Sequence, residues 1–155
     1  MKNDYKVIDQ DCIIAIKNQF GHDVEVPVKA GTVIIYANGY GRQWEIFIDQ
    51  EDLEKVDQAA TGRWYISIKK DTIYASFCKQ KDNTRIYVHM HRLIANCPEG
   101  LVVDHYHHHY GLDNRRYNLK VVTAEENNRN QIKSRTDKFK PAEVEIHKLI
   151  KKYEY

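Results

Sequence analysis

The chain has 155 residues, enough for one domain of ordinary size, and its 42% hydrophobic and 30% charged residues exclude an intrinsically disordered segment. No run of about 18 apolar residues occurs, which excludes a helix spanning a membrane, and Met1 to Asp11 lack the basic-then-apolar order of a secretion signal, so the expected location is the cytoplasm. The formal net charge of +2 hides an asymmetry: residues 1–60 carry 6 Lys and Arg against 11 Asp and Glu, residues 61–155 carry 18 against 11, and phosphate-binding capacity therefore belongs to the second part.

Residues 1–60 predict short strands over Cys12–Ile16, Val24–Val28, Thr32–Tyr36 and Trp44–Ile48, separated by Gly21, Gly31, Gly39 and Gly41. Asp49 is placed to cap a helix over Gln50–Ala59, in which Leu53 and Val56 share a face. This acidic part contains no catalytic constellation and reads as a structural or positioning segment. A three-stranded meander follows, over Trp64–Ile68, Ile73–Phe77 and Arg85–Met90, with polar turns at Lys69-Lys70-Asp71 and Lys81-Asp82-Asn83. Its polar positions Tyr65, Lys79, Arg85, Tyr87 and His89 suit either contact with a DNA groove or plain solvation. A short helix starts at His91-Arg92-Leu93-Ile94-Ala95 and stops at Cys97-Pro98-Glu99-Gly100. Cys12, Cys78 and Cys97 lack any Cys-x-x-Cys pairing, so they read as reduced core thiols, and no structural zinc is expected.

The stretch Val103 to Asn130 carries the chemistry. Leu101-Val102-Val103 reads as a buried strand that ends at Asp104 and His105. A loop dense in His, Gly, Asp and Asn follows, with turn chemistry around Leu112-Asp113-Asn114-Arg115. The hairpin returns through Leu119, Val121 and Val122, and Thr123 with Glu126 forms a capping box for a helix that carries Asn127 on its first or second turn. One carboxylate, one imidazole and one or two amide oxygens are thereby directed to one spot. Oxygen donors suit a hard divalent cation, and a neutral His can take a proton from water near pH 7. These are the parts for metal-assisted phosphodiester hydrolysis.

The pattern V-D-H, then L-D-N-R-R-x-N-L, a short strand and E-N-N-R-N resembles the HNH endonucleases with a ββα-metal fold, particularly the phage and mobile-intron subgroup with Asn in place of the last His. Trp64, Tyr74 and Met90-His91-Arg92-Leu93-Ile94 extend the resemblance, which covers about residues 44–130. It implies Asp104 as a metal ligand, His105 as the general base, Asn118 as the residue that holds the loop and the base, and Asn127 as the second metal ligand. The loop between His105 and Leu112 is one residue longer than the family's usual one, which leaves the register of Asn114 open. The implied cofactor is Mg2+ or Mn2+, and the implied partner is double-stranded DNA, in a bacterial or phage-infected cell.

Consecutive side chains rarely converge on one ion, so His107, His108 and His109 read as a surface or DNA-adjacent loop rather than a second metal site. Arg115, Arg116, Arg129, Lys133 and Arg135 are the cations assigned to DNA, and Pro141 opens a C-terminal helix with Ile146, Leu149, Ile150 and Tyr153 on one face. The expected fold class is α+β: a strand-rich segment over residues 1–60, an HNH-like domain over 61–135 with its ββα core at 101–133, and a basic linker with a helix over 136–155. The leading function is a homing, nicking or restriction-like DNA endonuclease. The alternatives are a non-catalytic DNA-binding protein on the same scaffold and a zinc-binding regulatory domain that uses the histidine run. A homodimer is left open, and no membrane partner is expected.

Overall fold

The computed structural model describes residues 1–107 and 110–129. The fold is mixed α and β, with four small antiparallel sheets and short helices among the described residues. In chain order the elements are β1 (Tyr5–Val7), β2 (Cys12–Lys17), β3 (Asp23–Val28), β4 (Thr32–Gly39), β5 (Arg42–Asp49), α1 (Leu53–Ala59), β6 (Tyr65–Lys69), β7 (Thr72–Lys81), β8 (Thr84–His89), α2 (Met90–Ala95), β9 (Leu101–His105) and β10 (Leu119–Thr123). Residues 124–129 are helical. The sheets are β1-β4-β5, β2-β3, β6-β7-β8 and β9-β10. Among the described residues no helix is long and apolar enough to cross a membrane.

Turn chemistry fixes the registers of the two long hairpins. Tyr40 (φ 52) and Gly41 (φ 76) join β4 to β5, and Asp82 (φ 51) and Asn83 (φ 64) join β7 to β8. Two consecutive positive φ values belong to the turn whose twist matches that of the flanking strands, and Asp, Asn and Gly are the residues that tolerate it best. The β-branched runs of β4 and β5 then place Val33, Ile35, Ile46 and Ile48 in the interior.

These side chains share one core with Trp64, Ile73, Met90, Ile94 and Leu112, so the charge boundary near residue 60 is crossed by the packing. Asn3 links the two parts directly: its Oδ1 accepts the Trp64 N–H at 2.7 Å, and its Nδ2 donates to the Trp64 carbonyl at 3.0 Å. The acidic segment is therefore built into the same body as the strands that carry the candidate site.

Two expectations are corrected. The helix expected over residues 50–59 is a 3-10 turn, Gln50–Asp52, followed by α1, and the Asp49 side chain does not cap it. Its carboxylate instead accepts the backbone N–H of Arg116 at 2.9 Å. The cysteines are not core thiols: Cys12 and Cys78 are exposed and Cys97 is half-exposed, all three free. The expected helix after Pro141 lies outside the described residues.

Gly111 sits where the site loop presses on the meander. A Cβ there would lie 2.5 Å from the Ile73 carbonyl oxygen, a backbone atom that cannot swing away. Gly111→Ala should accordingly destabilise by about 1–3 kcal/mol, as overpacking does. Gly62, with nothing within 4 Å of the added methyl, should tolerate the same change within about 0.5 kcal/mol. Chemical denaturation of both variants checks this.

Candidate functional site

Asp104 and His105 are the last two residues of β9, which pairs with β10 so that His105 stands opposite Leu119 and Leu101 opposite Thr123. Successive strand residues point to opposite faces, and both could serve one group only where the strand ends. It does end there. Both residues are more than nine-tenths buried.

Between β9 and β10 the described residues, 106–107 and 110–118, touch a sheet only through one parallel bridge, Asp113 to Phe47, and end in a 3-10 turn at Arg116–Asn118. A buried loop must still satisfy its polar groups, and Asn118 does much of that work. Its Oδ1 accepts the His107 N–H at 2.9 Å, and its Nδ2 donates to the Asp113 carbonyl at 2.8 Å. Its own carbonyl accepts the Tyr106 N–H at 2.9 Å. Asn118 thus ties both ends of the loop together.

The strand β5 anchors the middle of the loop. The Phe47 N–H donates to the Leu112 carbonyl at 2.9 Å, and the Asn114 N–H donates to the Phe47 carbonyl at 2.8 Å. Tyr110 packs edge-on against Phe47 and donates its hydroxyl to the Glu45 carbonyl. Burial pushes the Tyr110 phenol well above its ordinary range, as does the nearby Glu45 carboxylate.

Beneath the loop, Asp113 and Arg115 form a buried pair, with Nε to Oδ1 at 2.8 Å and Nη2 to Oδ2 at 2.9 Å. Arg115 Nη1 also donates to the Pro27 carbonyl at 2.9 Å, and the Tyr117 hydroxyl donates to Asp113 Oδ2 at 2.6 Å. Burial pushes the Asp113 carboxyl up, but the Arg115 charge and the hydrogen bonds from Arg115 and Tyr117 outweigh it and hold the carboxyl below its ordinary range.

This scaffold delivers Asn114 to the imidazole: Asn114 Oδ1 lies 2.9 Å from His105 Nε2, and Asn114 is fully buried. With the amide oxygen facing the ring, this hydrogen bond is made by the tautomer protonated on Nε2, whose basic lone pair is on Nδ1, and the Asn114 Nδ2 has no hydrogen-bond partner among the described residues. The residue that orients the imidazole is therefore Asn114, while Asn118 holds the loop. The signal was present in the Asp-Asn pair of the loop, whose register the extra loop residue obscured.

His91, which the sequence places in the short helix without a role, is a further neighbour of His105. The His91 ring of α2 lies 5.3 Å from the His105 ring, between centroids, and is stacked on Tyr74 at 5.0 Å. His89, 5.6 Å from His91, accepts or donates at Nδ1 with the Ser76 hydroxyl at 2.6 Å. Burial, with the neighbouring His105, His89 and Arg92, lowers the His91 pKa well below its ordinary value, so this imidazole is neutral near pH 7. Its Nδ1 is buried without a hydrogen-bond partner among the described residues.

The helix that carries Asn127 starts as its sequence dictates, since the Glu126 N–H donates to Thr123 Oγ1 at 3.1 Å. Asn127 alone among residues 124–129 is half-buried, which turns it toward the protein. Of the cations assigned to DNA, Arg115 is 3% exposed and committed to Asp113 and Pro27, so it cannot extend to a phosphate. Arg116 makes a two-point contact with Asp52 at 2.7 and 3.0 Å. Both hold the loop to the acidic segment. Arg129 is exposed, whereas Lys133, Arg135, His108 and His109 lie outside the described residues. Among the described residues one cluster of ionisable ligands converges, Asp49, Glu51 and Asp52, with ligand atoms within 4.8 Å of one another. The Arg116 guanidinium pairs with two of its three carboxylates, Glu51 and Asp52.

No family model matches this chain, and no curated protein or solved structure matches it.

The Asp113–Arg115 pair makes a prediction with a definite sign. Removing one partner of a buried pair typically costs about 3–5 kcal/mol, because the other charge stays buried, and Asp113→Asn should show such a loss. A carboxyl whose folded pKa is depressed adds stability that is full above the ordinary carboxylate range and is lost as pH falls through the depressed value. Urea denaturation between pH 7 and pH 3 should therefore show a shallower acid loss for Asp113→Asn than for the wild type. Equal acid slopes would place the titrating group elsewhere.

Proposed function

We propose that the protein is a divalent-metal-dependent DNA endonuclease of the HNH type, which hydrolyses phosphodiester bonds in double-stranded DNA. The observation that carries this reading is the imidazole of His105, held by Asn114 at the end of β9 directly after Asp104. A fixed tautomer with its lone pair on Nδ1 is what a general base needs. Strand, loop, strand and helix follow one another as a ββα unit would, and the surplus of Lys and Arg in residues 61–155 supports a polyanionic partner.

In the reaction, His105 Nδ1 takes the proton of the attacking water, and Asn114 keeps the ring from turning as the imidazolium forms. Asn118 keeps the loop closed beneath them. Asp104 and Asn127 offer oxygen donors, a set that fits a hard cation better than a soft one, and these two residues would hold Mg2+ or Mn2+, which supplies charge stabilisation at the phosphate. Exposed Arg129 contributes to backbone contacts, together with Lys133 and Arg135. A non-catalytic DNA-binding protein on the same scaffold is the second reading, which the surplus of Lys and Arg in residues 61–155 supports equally.

Conversion of supercoiled plasmid, with Mg2+ or Mn2+ and with chelator, tests the proposal. The wild type should nick or linearise the plasmid only with the metal. His105→Ala should lower the rate by on the order of 10²- to 10⁴-fold and keep its metal affinity, and Asp104→Ala should abolish cleavage. Asn127→Ala should weaken the apparent metal affinity and recover in part at high Mg2+. Binding of DNA without cleavage in either metal would select the second reading.

A further inference from the structure

Strand β7 is twice as long as its neighbour on one side. It pairs with β6 only from Thr72 to Ser76, whereas its pairing with β8 runs from Ser76–His89 to Lys81–Thr84. Beyond Ser76 the hairpin is therefore a two-stranded ribbon that leaves the sheet. Its five residues from Phe77 to Lys81 extend roughly 17 Å at about 3.4 Å per residue.

The ribbon's two faces are set by its register. Ser76, Cys78 and Gln80 stand opposite His89, Tyr87 and Arg85, so these six share one face. At the base of that face is Ser76–His89, and His89 leads through His91 to His105. The face that begins beside the candidate base thus continues without interruption to Tyr87, 57% exposed, and to exposed Arg85. On the opposite face Phe77 enters the core, and Lys79 and Lys81 beyond it are exposed.

The geometry points to the β7–β8 ribbon as a duplex-reading element that enters the major groove of the DNA held at His105. This inference rests on the nuclease reading for the placement of the scissile phosphate. A major groove about 12 Å wide admits a two-stranded ribbon, and Lys79, Lys81 and Arg85 supply charge complementary to phosphates. Cations on an exposed strand edge also discourage edge-to-edge pairing, but that function leaves the exposed Tyr87 on the site face without a role. Along β8, Arg85 lies about 13 Å from His89, or about four base-pair steps of 3.4 Å. The ribbon would therefore read sequence to one side of the cut, within half a helical turn.

Cys78, exposed on the site face of the ribbon, makes this testable in the full chain. The probes are two random-sequence duplexes, one with a thiol tethered to cytosine N4 in the major groove, the other with a thiol on guanine N2 in the minor groove, both in chelator. Cys78 should form a mixed disulfide with the first duplex. Cys12, exposed on the acidic segment, should not, and Cys78→Ser should lose the product. Independently, the triple variant Lys79→Ala, Lys81→Ala and Arg85→Ala should flatten the plot of log affinity against log salt by about 2 to 3. An unchanged slope, or a Cys78 that does not crosslink while DNA is bound, overturns the ribbon and leaves the nuclease reading intact. A protein that crosslinks through Cys78 but cleaves in no metal keeps the ribbon and loses the nuclease reading. Failure to bind any duplex ends both.

Discussion

The buried pair of Asp113 and Arg115 is the constraint on which the rest of the site depends. Both residues are at most 4% exposed in their side chains, and two charges taken out of water are costly unless geometry and further hydrogen bonds compensate. Here they do: two contacts between the charged groups, a third from Tyr117, and the Pro27 carbonyl on the remaining guanidinium nitrogen. The pair fixes the turn at Asp113, and Asn114 follows it directly. The turn can then present one amide oxygen to one imidazole nitrogen at hydrogen-bond distance.

The first sixty residues contribute more than a separate appendage would. Pro27 and Phe47 meet the loop through backbone atoms, and Asp49 and Asp52 receive Arg116. The negative charge of this segment therefore has a local use. Asp52 and Glu51 hold Arg116 to the surface of this segment, while Arg115 is held by Asp113 of the loop and by the Pro27 carbonyl. On the opposite side, the Tyr74, His91 and His89 rings back the His105 ring. The candidate base is confined between an amide on one side and a neutral imidazole on the other.

The strands of the meander, the β9–β10 hairpin and the Thr123 cap were legible because each is specified within a few residues by alternation, turn chemistry or a capping oxygen. The positions of Asp104 and His105 at a strand end and of Asn118 at the start of the returning strand were legible from the local pattern. The functions of Asn114, Arg115 and Arg116 were not, because they depend on partners far away in sequence: Phe47, Pro27 and Asp52. Two adjacent arginines in a polar loop read as solvent-facing cations until the acidic residues that receive them are placed. The contact of His91 with His105 was hidden for the same reason, since the two meet only after α2 packs against β9 and β10. The thiols failed differently: Cys78 follows buried Phe77 in the same strand, and alternation alone sends it outward.

The central claim is that Asn114 fixes His105 as the tautomer protonated on Nε2 with its base at Nδ1, and nitrogen chemical shifts of the 15N-labelled imidazole measure this directly. The neutral imidazole of His105 should carry its proton on Nε2, and Asn114→Ala should lose that preference with the fold intact. A His105 protonated on Nδ1, or a tautomer unaffected by Asn114→Ala, would contradict it.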